Sequence, residues 1–550
     1  MSLNVDKTKV MVLSSNPEEI KWEPVLLANG RRINVTSENP FLGFQAGNDL
    51  RGKEHVHKSV TKASKRVCIL RCLSSKEWAN QRETQRNLYI GYTRPLMEYA
   101  SPGWNGLISP TQRERLQKIQ NQACRAIGSL AKTCPIDFLH LETGIEPIAS
   151  RLEKNDEILW DRYARLPESD SRRQLLDRDV PARLKTRPGW RNMTAPRMRA
   201  WSNVRRDTTT PPLPPWETYP NLNFDVVPLE KKKEEYTREE LQELTLNKLA
   251  EVTTPIRIYT DGSTQDEQKL GGAGVYVEDE LGNPIFEASY PAGELCSSYS
   301  GEGVAAVRAL EWLSLNPADA TLCTDSLSLH QAMETNQWKD PDPWIKELKT
   351  LIRNLPCNIT ILWLPSHCRV NGNDKADDLA KLGALMQQDE IPVTHKIIKA
   401  KIRKRKWQVE HARACETYKD RRQPRVEIES RWPPDVRRLF GRLRTGHAKE
   451  LRHYQYLIGV EGVEDPSCTC SAKRQTIEHI LTECPDLNEE RKKHFPGGKV
   501  KMHSMVLDPE KCRKFLSAKF DGLKISTDKN QNTTEVDNEG VVTPTSSTSQ

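Results

Sequence analysis

Long apolar runs are missing from this 550-residue sequence; none approaches the ~18 residues of a membrane span. The N-terminal stretch MSLNVDKTKVMVLSS has neither the apolar core nor the small-residue cleavage site of a secretory signal. Membrane insertion and secretion are therefore not expected. Hydrophobic residues are also scarce. They make up 36% of the chain and, even with its 28 Gly counted, fall short of the roughly 45–50% of an ordinary globular protein. Charged residues reach 29%, so part of the chain is expected to be linker or surface. The 13 Cys are odd in number and scattered, which suits a reducing compartment, free thiols and one metal site. No repeat of 20–50 residues is present, so a solenoid or propeller is not expected.

What is there is a contrast of charge. The net charge of +8 averages two opposed blocks. Residues 255–388 hold 10 Lys and Arg against 19 Asp and Glu, a net of −9. Residues 396–452 hold 19 against 7, a net of +12. Carboxylate clusters hold hard cations and basic faces hold phosphates, so the two blocks suggest two tasks. The length allows roughly three to four domains.

Residues 1–150 carry the pattern of an α+β piece, with an apolar run at Val10–Leu13 suited to a strand. Leu116, Ile119, Gln120, Ala123 and Ile127 recur at helical spacing. Residues 151–250 are charged and punctuated by TTTPPLPPWETYP at 208–220, the composition of an extended linker. A charged connector helix is expected over Lys231–Glu251. Residues 251–390 have the clearest globular pattern. IRIYTDGS, GGAGVYVED and NPIFEASYP predict three strands in meander, with a turn at Gly282-Asn283-Pro284. A helix from Ser300 to Leu315, the strand ATLCTDS, short helices, the strand NITILWLPSH and a helix over Asn371–Met386 follow. The order βββαβαβα describes an α/β fold, a mixed five-stranded sheet covered by helices. Residues 391–457 are basic and helical, 458–495 hold a Cys/His cluster, and 496–550 form a C-terminal tail. From about residue 526 that tail is Ser, Thr and Asn-rich without aromatics, and disorder is expected.

Four acids mark the predicted α/β domain. Asp261 is expected to end the first strand and Asp325 the fourth, which converges them at the carboxyl edge of the sheet. Glu302 and Asp377 can reach that edge from flanking helices. Four carboxylates brought together repel unless cations neutralise them. Two Mg²⁺ ions about 3.5–4 Å apart could then activate a water and stabilise the leaving oxygen of a phosphodiester. Mn²⁺ is the alternative ion. TDGS alone is weak, since Asp-Gly is ordinary turn chemistry, and a lone His367 is more often a surface histidine.

Taken together, YTDGS, SGEGVAAVRAL, CTDS and LPSHCRVNGNDKADDLAK resemble a type 1 ribonuclease H over roughly 130 residues. The resemblance implies an endonuclease that cuts the RNA strand of an RNA–DNA hybrid. It implies that Asp261 bridges both metals and that Glu302 binds one and helps position the RNA 2′-OH. Asp325 would hold the metal near the attacking water, and Asp377 would complete the shell of the second metal. His367 would be the mobile loop histidine that assists turnover. Asp374 would be an outer or helix-start acid, and Asp378 a solvated one. The 42 positions from Asp325 to His367 leave no room for the basic helical insertion that bacterial stand-alone members carry. The acidic domain is therefore expected to bind substrate poorly alone, with the +12 block supplying the grip.

The flanks resemble a second family. SLNVDKTKVMVLS, FLGF, YTRPLMEYASPGW, LQKIQNQACRAIG and LHLETGIEPIASR are similar to the C-terminal part of a non-LTR retrotransposon reverse transcriptase. Residues 1–150 would be its thumb-like or connection-like remnant, with the polymerase active site absent. In the basic block, Lys404, Arg405 and Lys406, then Arg438, Arg442 and Arg444 among Phe440, Tyr454 and Tyr456, suit binding of phosphates and stacking of bases. A charge run is often only a solvated face or an import signal. Cys468, Cys470, His479 and Cys484 could close a tetrahedral structural Zn²⁺ site in a small zinc-knuckle-like module, although the x1 gap is tight. The H-x4-C half resembles the terminal motif of the same retrotransposon proteins.

The function expected is therefore two-metal hydrolysis of RNA in hybrids, within a retrotransposon-derived protein. Its partners would be RNA–DNA hybrid, RNA and a full-length reverse transcriptase, with no membrane. It would act inside the cell, in the nucleus ahead of the cytoplasm. The competing expectations are a non-catalytic nucleic-acid-binding remnant, or a nuclease active only with that full-length partner.

Overall fold

Alternation in IRIYTDGST sends Ile258 to one face of a strand and Tyr259 to the other, and the structure builds a sheet on that alternation. The computed structural model describes residues 4–14, 16–74, 82–178, 187–208, 216–265, 270–335, 342–388, 391–417, 429, 431–497 and 500–525. The chain divides into two units. One comprises residues 102–107 and 152–406, the other residues 1–101, 108–151 and 407–550.

The first unit contains β1 (Leu222–Val226), α1 (Arg238–Ala250), β2 (Ile256–Thr264), β3 (Gly271–Asp279), β4 (Pro284–Gly293), α2 (Ser298–Leu315), β5 (Ala320–Thr324), α3 (Leu327–Glu334), α4 (Pro343–Asn354), β6 (Ile359–Trp363) and α5 (Asn371–Leu385). The sheet order is β4-β3-β2-β5-β6-β1. The meander β2–β4 is antiparallel, while β2, β5, β6 and β1 run parallel. The element order predicted from β2 to α5 matches. The five-stranded expectation is corrected to six strands, because β1 pairs in register with β6 from Leu222↔Ile359 to Val226↔Trp363.

That strand comes from the segment expected to be a linker, which is the second correction. Residues 151–250 contain most of the helix Ile148–Ala164, the helices Ser171–Asp177 and Trp190–Met198, and then β1 and α1. The charged composition misled because α1 needs only a narrow apolar stripe. Leu241, Thr245 and Leu249 face inward and the rest is solvated. The connector helix is also shorter than expected, opening at the Thr237–Glu240 capping box and not at Lys231. Most of the Pro-rich stretch, and the tail from residue 526 where disorder was expected, lie outside the described residues.

Two apolar layers sandwich the sheet. Val275, Val277, Leu310, Leu313, Leu348 and Ile361 fill one face, under α2 and α4. Tyr276, Leu241, Leu249, Leu362, Leu364, Val370 and Ala376 fill the other, under α1 and α5. Among the described residues no helix is long and apolar enough to cross a membrane.

In the second unit, short two-stranded sheets precede the helices Lys53–Leu73 and Pro110–Gly128. The strand expected at Val10–Leu13 shrinks to Lys9–Val10. The Cys/His segment is not the small separate module expected. Cys468, Ile480, Leu481 and Cys484 share one core with Trp432, Phe440, Leu443, Met505, Phe515 and Leu523, so residues 431–525 fold together. The boundaries expected at 457 and 495 therefore do not separate folding units.

Arg444 anchors this unit. Its side chain is 1% exposed. It bonds both Glu142 oxygens at 2.7 and 2.8 Å, and it also pairs with Glu429. Truncating one partner of a buried ion pair leaves the others uncompensated. Arg444→Ala is expected to destabilise this unit by about 3–5 kcal/mol, measured by urea unfolding of the full chain followed at Trp432; an unchanged midpoint would contradict the anchoring role.

Candidate active site

Asp261 and Asp325 meet because of strand register. Thr260 of β2 pairs with Thr324 of the parallel β5, so the next residue on each strand is one of the two acids. Asp325 follows its strand as expected. Asp261 does not end its strand, because β2 continues to Thr264 along the hairpin with β3.

Glu302 arrives through a glycine. A Cβ at Gly262 would lie 2.1 Å from the Glu302 backbone nitrogen and 2.4 Å from the Gly301 carbonyl carbon. Only a glycine lets the first turns of α2 press so closely on the strand. The glycine of TDGS therefore serves close approach, not a turn. Gly272 and Gly274 do the same on the other face, where added Cβ atoms would meet Ala380 O at 1.9 Å and Ala376 O at 2.0 Å. Gly274 sits directly across from Asp261. The seating of α5 against these glycines brings Asp377 to the Asp261 carboxylate.

The result is a knot of acids. Asp261, Glu302 and Asp325 each offer an oxygen within 4.8 Å of the others. Burial, with the nearby Asp325 and Asp377, pushes the Asp261 carboxyl up to about 6. Burial and the neighbouring Asp261 and Asp325 hold Glu302 far above the carboxylate range. Burial also raises Asp325, against the pull of His367, Lys233 and a hydrogen bond from Asn373. Glu302 Oε2 is buried without a hydrogen-bond partner. Dense, partly unsatisfied oxygen donors fit a hard divalent cation. Asp377 stands at the rim, its Oδ2 bound by Lys381 at 2.7 Å. Asp374 and Asp378 are exposed on α5.

His367 lies on an exposed loop with φ +63° and acts on Asp325. Two neighbours escaped the sequence reading. Asn373 stands in the GND run beside the acids, so its position could have suggested a supporting role. Lys233 sits in a Lys/Glu run with no local signal at all.

The Cys/His residues also come together. Cys468, Cys470, His479 and Cys484 offer ligand atoms within 4.8 Å of one another. Cys470 Sγ is 3.2 Å from His479 Nε2, and Cys468 Sγ is 3.9 Å from Cys484 Sγ. Burial works to raise the Cys468 thiol, but hydrogen bonds from the Cys470 backbone and from Thr469, Cys470 and His479 bring it down to about 6. Burial pushes Cys484 up to about 11. A low thiol paired with an imidazole is a donor set that suits Zn²⁺.

The basic residues divide. Lys404 is exposed. Arg405 pairs with Glu157 at 2.6 Å, and Lys406 with Glu153 at 2.8 Å and Glu157 at 3.2 Å. Arg444 is buried between two glutamates. The expectation that Arg405, Lys406 and Arg444 bind nucleic acid is corrected: their charge is already matched by carboxylates of the protein. Arg438 and Arg442, with Arg71 and Arg125 and the acids Asp435 and Glu450, line a cavity of about 590 Å³. Arg442 is braced by the Ser129 carbonyl at 2.9 Å and Arg438 by the Ser74 carbonyl at 3.1 Å.

Comparison with known proteins bears on the carboxylate unit. Residues 253–385 match the family described as RNase H. The Ribonuclease H of Neisseria meningitidis is 31% identical over 151 residues, which cover 24% of this chain and 96% of that protein. Among solved structures, LC11-RNase H1, isolated from compost by a metagenomic approach, is 26% identical and aligns over 24% of this chain and 94% of its own, with a TM-score of 0.21. The same LC11 enzyme has been solved in complex with an RNA/DNA hybrid, at 24% identity, 24% and 99% coverage and a TM-score of 0.21.

The raised carboxyls make metal-free stability depend on pH with a definite sign. A folded-state value of about 6 for Asp261 against roughly 4 unfolded means the folded form keeps a proton that the unfolded chain has lost. The associated stability is full below pH 4 and disappears as pH rises through 6. Asp261→Asn should therefore raise the melting temperature in EDTA by several degrees at pH 8 and by little at pH 4. Calorimetry of both proteins checks this; an equal gain at both pH values would contradict it.

Proposed function

The chain belongs to the ribonuclease H family and is an RNA–DNA hybrid ribonuclease, and we propose that it works by two-metal hydrolysis at Asp261, Glu302, Asp325 and Asp377. The observation that carries the proposal is the convergence of three carboxylates with raised proton affinity, two buried and one half-buried, one of them holding an unpartnered oxygen. The family uses divalent ions such as Mg²⁺, and these four residues would hold them, with Mn²⁺ as a substitute. Bound cations would supply positive charge to the phosphodiester and lower the pKa of the attacking water. Asn373, buried beside Asp325, favours its ionised form. Gly262 and Gly274 hold Glu302 and Asp377 against Asp261. His367, exposed beside Asp325, would ease departure of the cut strand.

The setting we infer is a retrotransposon-derived protein. The motifs of residues 1–150 and the H-x4-C segment support it. In that setting the enzyme would remove template RNA after first-strand DNA synthesis, in the nucleus ahead of the cytoplasm and beside a full-length reverse transcriptase. Arg71, Arg125, Arg438 and Arg442 around one cavity favour an added nucleic-acid-binding role for the second unit. Cys468, Cys470, His479 and Cys484 would hold a structural Zn²⁺ that braces the core of residues 431–525.

Two measurements test these readings. With Mg²⁺, the chain should cut the RNA strand of a labelled hybrid and leave duplex DNA intact. Asp325→Asn should lower the rate by at least about 100-fold; a variant that cuts at the wild-type rate would remove Asp325 from the site. Metal analysis should find one zinc per chain, lost in Cys470→Ser with a fall of several degrees in the melting temperature of the second unit. Absence of zinc from protein prepared without chelator would refute the site.

A further inference from the structure

Lys233 stands where no local pattern would place a functional residue. It opens the short 3₁₀ turn Lys233–Glu235, ahead of α1. This turn lies outside residues 253–385, the part of the chain that matches the RNase H family. Its position is nevertheless well determined by contacts. The Tyr236 hydroxyl accepts hydrogen bonds from the backbone N–H groups of Glu230 and Lys231 at 2.9 and 3.1 Å, folding the segment back on itself. The helix α1 then docks on the loop that carries His367. Gln242 donates to the Arg369 carbonyl at 2.9 Å, and Thr245 to Cys368 Sγ at 3.7 Å. Leu241 and Leu249 pack in the same core as Leu364, Cys368 and Val370.

The Lys233 ammonium finishes on that loop. It donates to the hydroxyl of Ser366, the residue before His367. Together with His367 it opposes the rise in the Asp325 proton affinity, so its charge reaches the catalytic carboxylates. Among the described residues no carboxylate lies within ion-pair distance of it. Several other cations of the domain are committed: Arg257 to Glu278, Arg308 to Glu311, Arg353 to Glu217 and Lys381 to Asp377. A half-buried lysine tethered by a neutral hydroxyl keeps two donors for something else. The domain around it carries a net charge of −9, and a polyanionic strand has to approach it.

We propose that Lys233 is a substrate-binding residue of this nuclease, contacting a phosphate of the RNA strand beside the scissile bond. The proposal rests on the ribonuclease reading of the site. It assigns to the segment before the family domain a share of the grip that the acidic domain lacks. Ser366 sets the reach of the ammonium, and α1 holds both Ser366 and Lys233 against the same loop.

The test uses the full chain with Mg²⁺ and a labelled RNA–DNA hybrid, comparing wild type, Lys233→Ala and Lys233→Arg at several salt concentrations. Lys233→Ala should raise KM about tenfold with kcat reduced far less, and Lys233→Arg should recover most of the loss. Loss of one phosphate contact should also reduce the slope of log KM against log salt by about 0.7–0.9, which a merely structural role would not do. Melting temperatures of the variants should match wild type. If KM and its salt slope are unchanged in Lys233→Ala while wild type cuts hybrid, the phosphate contact is overturned and the ribonuclease reading stands. A fall in kcat at constant KM also overturns it, since Lys233 would then act only through Asp325. If wild type itself leaves hybrid uncut, the ribonuclease reading falls and this proposal with it.

Discussion

Backbone against backbone at three glycines is the constraint on which the site depends. Carboxylates do not gather unaided, because burial and mutual repulsion both oppose it. At Gly262 the first turns of α2 meet β2, and at Gly272 and Gly274 the middle of α5 meets β3. Each contact is too tight for any Cβ. The apolar layers on the two sheet faces drive the helices down, and the glycines decide how far down they go. The acids are carried along, so folding energy from the cores is stored as electrostatic tension at Asp261, Glu302 and Asp325. A bound cation would relieve that tension.

The sheet edge tells a related story. β1 adds a parallel strand beyond β6, and α1 crosses to the loop after β6. The strand covers an edge that would otherwise expose unpaired backbone groups. The helix fixes a loop in which His367 and Arg369 both adopt positive φ. Such backbone is sparsely populated and persists where surroundings over-determine it. The segment before the family domain thus acts on the same loop twice, through the sheet and through the helix.

The sequence made the centre of the nuclease legible and its margins illegible, for physical reasons. Strand β2 alternates in period two, the later strands are short runs bounded by turn residues and α2 repeats in helical period, so the element order from Ile256 to Leu385 could be read directly. Asp261, Glu302, Asp325 and Asp377 stood out because each sits in a motif that resembles the ribonuclease H family, in the same order. β1 did not stand out, since LNFDV is five residues at an edge with only partial burial. α1 was hidden by its charge. The basic residues misled most. Arg405, Lys406 and Arg444 have the same local surroundings in sequence as Lys404 and Arg442, and only distant carboxylates at Glu153, Glu157, Glu142 and Glu429 separate them. The Cys/His cluster was legible as ligands but not as part of a larger core, because its apolar partners extend to Leu523.

The pairing of Arg444 with Glu142 spans 302 positions, and the nuclease unit occupies most of the chain between them. That has a consequence for synthesis on the ribosome. The nuclease unit has all its described segments once residue 406 has emerged. The other unit has begun earlier but cannot seat Arg444 until the basic helix Pro434–Thr445 appears, nor close its core before Leu523. The domain that starts second is therefore ready first. Of the two arginines that face Glu142, Arg82 at 3.5 Å precedes it in the chain, and Arg444 follows only after the whole nuclease unit.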